Sequence, residues 1–305
     1  MNWLTGSAST QAAALAEVSG VLFAGGTLVF ALVLTLLMLA LRGRQRRRVL
    51  PTAWWTVGGG IVFPVIVLSA LMAYSLVRTE GLERPPADPL VVGVTGHPWW
   101  WEVRYRDPAG TQWVAVANEL RLPVGRTVQI GLSSPDLIHS FWVPALGGKM
   151  DLVPGRVNRL VVTPQRPGVH RGVCAEYCGV QHARMALHVV VQAPDEFERW
   201  LAAQAAPAAT PEGPLAERGR RSFVELCAGC HTVRGVAEGA ALAPDLTHVA
   251  SRLHLGAGTL PNGHEALARW IADVQALKPG ARMPSYGHLD RATLDALAAY
   301  LAQLR

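Results

Sequence analysis

The segment CAEYCGVQHARM, residues 174–185, brings two thiols, an imidazole and a thioether into twelve residues. Cys174 and Cys178 are four residues apart, His182 follows after four more, and Met185 after a further three. This spacing predicts a metal site, because thiolate, imidazole and thioether groups are ligands that zinc and copper take in proteins. Any further ligand, and the fold that holds this segment, must come from the chain on either side.

The presence of a second thiol distinguishes between the possible kinds of metal site. A mononuclear blue-copper site takes one cysteine, two histidines and a weak methionine, so the segment has one thiolate too many. A zinc site of two cysteines and two histidines has no use for Met185. A disulfide between Cys174 and Cys178 would leave His182 and Met185 unexplained. Two thiolates that bridge two copper ions resolve the surplus, and we favour that interpretation.

Each copper ion in such a pair also needs one imidazole and one weak axial ligand. His182 supplies one imidazole, and Met185 supplies one axial ligand. The second imidazole should come from a different strand, and His139, 35 residues upstream of Cys174, is the candidate. The backbone carbonyl of residue 176, between the two cysteines, can be the other axial ligand.

The chain around the segment has the pattern of short β-strands. Runs of β-branched and aromatic residues alternate with Gly, Pro, Asn and Asp through residues 90–194, which predicts a sandwich or barrel. The predicted strands are 90–94, 99–105, 112–117, 127–132, 140–143, 159–163 and 187–192. A helix is predicted at 195–204.

Two apolar stretches lie upstream, at residues 18–41 and 54–77, and neither contains a charged side chain. Either is long enough for a helix that crosses a bilayer. The loop 42–48 carries five arginines, which predicts that it is cytoplasmic and that both chain ends face outward. Because this loop holds most of the net charge of +6, we predict no nucleic-acid partner. Residues 1–17 lack the features of a cleaved leader.

A second cysteine pair lies in CAGCH, residues 227–231, which is the attachment pattern of a c-type haem. Cys227 and Cys230 would bind the haem vinyl groups, and His231 would be an axial ligand. Met283, 52 residues after His231, is the candidate for the other axial ligand. Ligation by histidine and methionine raises the haem potential, which suits an electron carrier.

With these motifs identified, the chain resembles a known family over nearly its whole length. Residues 90–194 resemble the copper-binding cupredoxin domain of cytochrome c oxidase subunit II, which holds a dinuclear CuA centre. The matching segments are GHPWWWEVRY (96–105), DLIHSFWVPALGGKMDLVPGR (136–156) and CAEYCGVQHARM. Residues 215–305 resemble a class I cytochrome c, in which Gly219 and Phe223 would face Tyr300 and the carbonyl of Pro244 would orient His231. The resemblance is closest to bacterial oxidases in which a cytochrome c is fused to subunit II.

The resemblance also implies roles for individual residues. The copper ligands would be His139, Cys174, Glu176 through its carbonyl, Cys178, His182 and Met185. The side chain of Glu176 would reach a magnesium ion at the border with subunit I. One or more of Trp99, Trp100 and Trp101 would admit electrons, and Asp136 and Asp151 resemble positions on docking surfaces. Many members carry a glutamate at the mouth of a proton channel, whereas this chain has Thr52 there.

We therefore expect four parts in the chain. They are an N-terminal segment with a two-helix transmembrane hairpin (1–88), an all-β cupredoxin-like Greek-key sandwich (89–201), an Ala/Pro linker (202–214) and an all-α class I cytochrome c domain (215–305). Tyr300 and Phe223 would join the last helix of that domain to its first.

The expected function is to admit electrons to a haem–copper terminal oxidase of the bacterial inner membrane. The expected partners are oxidase subunit I, other oxidase subunits, the lipid bilayer and an external cytochrome c or similar donor. Electrons would pass from haem c to the dinuclear copper and on to haem in subunit I, where oxygen is reduced to water. The alternatives are the same role in a haem–copper nitric oxide reductase and a stand-alone membrane-anchored electron carrier.

Overall fold

The computed structural model describes residues 6–42, 51, 53–238 and 242–305. Apart from Arg42, the arginine-rich loop lies outside the described residues, and so does Thr52. The predictions on loop orientation and on the channel-mouth position therefore have no counterpart in the structure.

Two long apolar helices form the N-terminal part, as the sequence predicts. Helix α1 spans Thr10–Arg42, and the second spans Trp54–Thr79. Both are long and apolar enough to cross a membrane, and the most apolar 18-residue window of each has no buried residue in the structure. The second helix begins with wide π-type turns at Trp54–Val62 and continues as α2, Phe63–Thr79. The change falls beside Pro64, whose missing N–H cannot support a regular helical ladder.

Helix α1 begins eight residues before the predicted apolar stretch, because its first turns are held by protein contacts. Ala8 N–H donates to the carbonyl of Ala145 at 2.7 Å, and the hydroxyl of Ser9 donates to the carbonyl of Leu146 at 2.6 Å. Farther along α1, Glu17 forms an ion pair with Arg78 of α2. The contacts of Ala8 and Ser9 fix the hairpin to the domain that follows it, and the ion pair joins its two helices.

That domain is a sandwich of two five-stranded sheets. The first sheet has the strand order β3–β2–β1–β5–β8 and the second the order β4–β10–β9–β6–β7. The strands are β1 Leu90–His97, β2 Trp100–Arg106, β3 Trp113–Ala117, β4 Glu119–Pro123, β5 Val128–Ser133, β6 His139–Trp142, β7 Met150–Leu152, β8 Asn158–Val162, β9 Gly168–Cys174 and β10 Ala186–Gln192. The cupredoxin-like sandwich predicted from the sequence is confirmed.

Alternation along the strands builds the core of the sandwich. On β5, Val128, Ile130 and Leu132 are fully buried while the residues between them are half-buried. Successive side chains of a strand point to opposite faces, so this pattern turns one face inward. Burying each such side chain stabilises the fold by about 1.5–3 kcal/mol. Trp101 and Tyr105 of β2 are also fully buried and fill the same core.

The C-terminal domain is helical. Helix α3, Pro194–Ala205, ends the sandwich region, and α4, Pro214–Leu226, begins the next one. The remaining elements are the short hairpin β11 His254–Leu255 and β12 Leu260–Pro261, and the helices α5 His264–Ala272, α6 Val274–Leu277 and α7 Arg291–Leu301. The rings of Phe223 and Tyr300 meet at 5.7 Å between α4 and α7, as the sequence predicts. A Cβ on Gly219 would lie 1.9 Å from the carbonyl oxygen of Ala296, so only glycine permits this close approach of the helices.

Candidate metal centres

The first centre forms where β6 and β9 pair and the chain returns into β10. His139 begins β6, and Cys174 ends β9, where it lies opposite Phe141. The loop that follows closes on itself, because Cys174 N–H donates to the carbonyl of Met185 at 3.0 Å. Gly96 leaves room for the imidazole, since a Cβ there would be 2.9 Å from Cδ2 of His139. The sandwich therefore brings the upstream histidine to the two thiols.

All six groups predicted as copper ligands meet at this place. The two Sγ atoms are 3.8 Å apart, which excludes a disulfide, whose S–S bond is about 2.0 Å. The remaining contacts run from the two thiols to the other four groups. Cys174 Sγ lies 3.9 Å from Nδ1 of His139 and 3.2 Å from the carbonyl of Glu176, and Cys178 Sγ lies 3.7 Å from both Nδ1 of His182 and Sδ of Met185.

The donor set fits a soft metal. The thiols, Met185 and His139 are buried, and the ligand atoms of His139, Cys174 and Cys178 lie within 4.8 Å of one another. Contact with the thiol of Cys178 lowers the pKa of Cys174, and the same contact raises the pKa of Cys178. The pair therefore shares its protons unequally, and because a metal binds thiolates, binding would release the protons that remain.

Asp136 orients the upstream histidine, a role that our reading of the sequence missed. Nε2 of His139 lies 3.2 Å from Oδ1 of Asp136, which leaves Nδ1 facing Cys174. Burial lowers the pKa of His139, but contacts with Cys174 and Asp136 outweigh burial and raise it. A carboxylate on the outer ring nitrogen fixes the tautomer of a metal-binding histidine and makes it a stronger ligand. One indication of this contact is present in the sequence, which is the spacing of three residues between Asp136 and His139.

The carboxylate of Glu176 points away from the thiols. It is half-exposed, and Oε2 lies 3.9 Å from Nζ of Lys149, which also contacts Asp151 at 3.1 Å. The carbonyl of Glu176 thus contacts Cys174, whereas its carboxylate contacts Lys149.

The second centre is a cavity of about 400 Å³ in the helical domain, bordered on the side of the sandwich by residues 97–100 and Asn118. Cys227, Cys230, His231 and Met283, the four predicted haem-binding residues, all line it. Its walls are mainly apolar, and Arg252 adds a cationic group. An apolar cavity with a few convergent polar groups suits a largely hydrophobic cofactor that carries carboxylates.

The imidazole of His231 is held for ligation. Its Nδ1 lies 2.8 Å from the carbonyl of Pro244, where the sequence predicts this contact. Burial lowers the pKa of His231, which favours the neutral ring that binds a metal. With Nδ1–H donating to the carbonyl, Nε2 is free to face the cavity.

The three tryptophans divide into two kinds. Trp101 is fully buried in the sandwich core, whereas Trp99 and Trp100 line the cavity of the helical domain. The indole N–H of Trp99 donates to the carbonyl of Cys178 at 2.8 Å. Trp99 has φ of +134°, a conformation rarely adopted by residues other than glycine. Such strain persists only where surrounding contacts enforce it, and it is concentrated at functional sites.

Comparisons with known proteins match both parts of the chain. The family model described as the periplasmic domain of cytochrome c oxidase subunit II matches residues 107–193, and the cytochrome c model matches residues 216–305. A protein of Alkalihalophilus pseudofirmus named cytochrome c oxidase subunit 2 is 38% identical over 251 residues, which cover 80% of this chain and 71% of that one. Proteins of the same name from Bacillus sp. PS3 and Bacillus subtilis are 32% and 30% identical, and the matches cover 72% and 73% of them and 80% and 82% of this chain.

Among solved structures, the periplasmic domain of subunit II of cytochrome oxidase from Bradyrhizobium japonicum is similar to part of the chain. It is 28% identical, and the match covers 39% of this chain and 96% of that domain with a TM-score of 0.37.

Proposed function

The chain belongs to the family of cytochrome c oxidase subunit 2, and on this premise we propose that it passes electrons from a bound haem c to a dinuclear copper centre. It is a subunit of a haem–copper terminal oxidase, an oxidoreductase, and is anchored by two apolar helices with its domains outside. We place it in a bacterial inner membrane, with both chain ends on the outer face and subunit I beside it. The names of its relatives favour oxygen over nitric oxide as the final acceptor.

The copper domain would hold its metal through the six groups that meet between β6, β9 and β10. Copper held by these groups would supply one-electron transfer. The protein contributes a buried, rigid ligand set, since His139 is fixed by Asp136 and Cys174 by the backbone of Met185. The Glu176 carboxylate would meet a magnesium ion at the subunit I border, where hard oxygen ligands suit that ion.

The haem domain would hold its cofactor through Cys227, Cys230, His231 and Met283. Pro244 orients the histidine. Met283 also lines the cavity, and its backbone is fixed by Gln275, whose Nε2 donates to its carbonyl at 2.7 Å. The His231 ring and the Met283 backbone are therefore held in place where these two residues would bind the haem iron.

A single observation carries the proposal: Trp99 touches both centres. Its side chain lines the haem cavity, and its indole N–H donates to the backbone of the copper ligand Cys178. A Cβ on Gly179 would lie 3.2 Å from the same ring, so the copper loop packs directly on the indole. Trp99 thus lies between the two sites, hydrogen-bonded to the copper loop and bordering the haem cavity, and we assign to it the admission of electrons to copper.

The haem domain covers Trp99 and Trp100, which changes the role of an external donor. A donor that docks from solution meets the haem domain before it meets Trp99. We therefore propose that the tethered haem is the first acceptor. Stopped-flow reduction by the natural donor, followed at the haem and copper absorption bands, should show the haem reduced first; copper reduced ahead of haem would contradict the order.

Metal analysis of the purified full-length chain tests the cofactors, and the expected content is two copper ions and one covalent haem.

Replacement of Trp99 by Phe tests the route of electron transfer through Trp99, because Phe keeps an aromatic ring but cannot donate to Cys178. We expect slower electron transfer from haem to copper with both absorption spectra retained. Trp113→Phe is the matched control, since Trp113 is half-exposed on β3 and lines neither site. Equal rates in the two variants would refute the role of Trp99.

A further inference from the structure

One buried cation joins the two metal-binding domains. Lys278 follows α6 in the haem domain and is only 4% exposed. Its ammonium group donates to the carbonyl of Trp99 at 2.8 Å and to the carbonyls of Arg184 and Gly256 at 2.9 Å each. An ammonium has three N–H donors, so every donor is used.

The three carbonyls belong to three different segments. Trp99 lies in the turn between β1 and β2, and Arg184 precedes the copper ligand Met185. Gly256 lies in the turn between β11 and β12 of the haem domain itself. Lys278 in turn lies five residues before the haem ligand Met283. A single side chain therefore connects the segments that carry a haem ligand, a copper ligand and the tryptophan between them.

Neighbouring contacts hold the same edge of the haem domain. Nε2 of Gln181 donates to the carbonyl of Pro279 at 2.8 Å, and Nη1 of Arg184 donates to the carbonyl of Leu277 at 2.7 Å. A Cβ on Gly280 would lie 3.5 Å from the ring of Trp99. Residues 277–280 thus rest on the copper loop and on Trp99 together.

A second strip of contacts fixes the rotation of the domain about this edge. Leu253 N–H donates to Oε2 of Glu119 at 2.9 Å, and Ala186 N–H donates to the carbonyl of Ala257 at 3.2 Å. The ring of His254 stacks on a histidine of β10, His188, at 4.0 Å. Because two separate sets of contacts join the two domains, their relative orientation is fixed.

The residue type at position 278 is also informative. Only two of the 28 Lys and Arg residues are lysines, so the chain otherwise relies on arginine for positive charge. A guanidinium is a planar fork suited to carboxylates, whereas a compact ammonium can sit among three converging carbonyls. The geometry of this site therefore calls for lysine.

We propose that Lys278 is a positioning residue, whose ammonium group fixes the haem domain on the copper domain with Trp99 between the two sites. This inference rests on the proposed function, because it explains how the route through Trp99 is kept in place. It concerns geometry more than stability. Burial, and to a smaller extent the charge of Arg184, lower the pKa of Lys278 to about 7 although Cys178 raises it, so its charge is held against a desolvation cost. The desolvation cost of the buried ammonium offsets much of what its three hydrogen bonds contribute to stability.

Two variants of the full-length, copper- and haem-loaded chain test the inference. Lys278→Met removes the charge at similar length, and Lys278→Arg keeps the charge but changes its shape. Arg199→Met is the control, because it removes a positive charge from the exposed face of α3. Hydrogen exchange at residues 97–101, 180–186 and 253–258 is the first readout. We expect faster exchange in both Lys278 variants and no change in the control.

Electron transfer from haem to copper is the second readout. We expect it to slow by about tenfold or more in both Lys278 variants, since displacing a positioned group by about 1 Å can cause losses of this order. The melting temperature and the absorption spectra should stay close to those of the wild type. A lysine with a merely structural role would instead lower the melting temperature. Should Lys278→Met fail to fold, Lys278→Arg carries the test.

The outcomes separate this inference from the proposed function. Wild-type exchange and wild-type electron transfer in either Lys278 variant would overturn the role of the lysine, while the cofactor content and the effect of Trp99→Phe would still stand. A chain that lacks two copper ions or a covalent haem would contradict the proposed function. The exchange readout would then still report whether Lys278 holds the domains together.

Discussion

At the scale of single residues, the second layer of contacts decides how well the ligands are held. The pair Asp136–His139 is the clearest case, and we expect Asp136→Asn to weaken copper binding by about tenfold to a hundredfold. An amide has no charge to favour the N–H on Nε2, so Nδ1 is no longer kept free for the metal. Titration of the full chain against a copper chelator measures the affinity. Asp88→Asn is the control, because Asp88 is exposed in the segment before β1. Equal affinities for the two variants would contradict the role of Asp136.

The proximity of the proposed ligands could be predicted from the sequence because most of them lie in one segment. Four of the five side chains proposed to bind copper lie within twelve residues, Cys174, Cys178, His182 and Met185, so the chain itself keeps them close together. In the haem domain, three of the four proposed haem-binding residues lie in CAGCH. Contacts between residues far apart in the chain have no comparable signal in the sequence. Lys278 and Trp99 are separated by 179 residues, and no periodicity or motif links a lysine to a distant backbone carbonyl.

At the scale of elements, seven strands were predicted, and three were missed: β4, although Leu120 and Leu122 alternate with Arg121, and the less regular β7 and β9. Strand β7 has three residues, too few to display a period of two. Strand β9 contains Gly168, Gly172 and exposed residues, which weaken strand propensity. Its pairing with β6 and β10 stabilises it instead. At Gly172 a Cβ would lie 2.4 Å from Leu187, so the packing requires glycine at this position. The same glycine made the strand hard to predict from the sequence.

Packing of α4 on α7 gives a prediction at the same scale. Gly219→Ala should lower the unfolding free energy of the haem domain by about 1–3 kcal/mol or more, because its Cβ would collide with the Ala296 backbone and with Tyr300. On helix propensity alone, alanine would stabilise by about 1 kcal/mol. Thermal unfolding followed at the haem absorption measures the change. Glu225→Ala, at an exposed position of α4, is the control. A variant as stable as this control would show that the helices can separate without loss.

At the scale of the whole molecule, the charge of the haem domain predicts how an external donor reacts with it. Residues 215–305 carry ten Lys or Arg and eight Asp or Glu, a net charge of +2. At low salt the Debye length is about 30 Å, so a donor senses the charge of the whole domain, whereas at physiological salt it is about 8 Å. A basic cytochrome c is therefore not attracted at long range. We expect its rate of reducing the haem to stay constant or rise as salt is added, measured by stopped flow.

Reversing two exposed arginines, Arg221→Glu with Arg291→Glu, changes the domain charge to −2 and should make the rate fall with salt, as it does for electrostatically steered association. A steep fall in the wild type would show an acidic docking face and contradict this account, because the tethered haem would then be built to attract a basic partner.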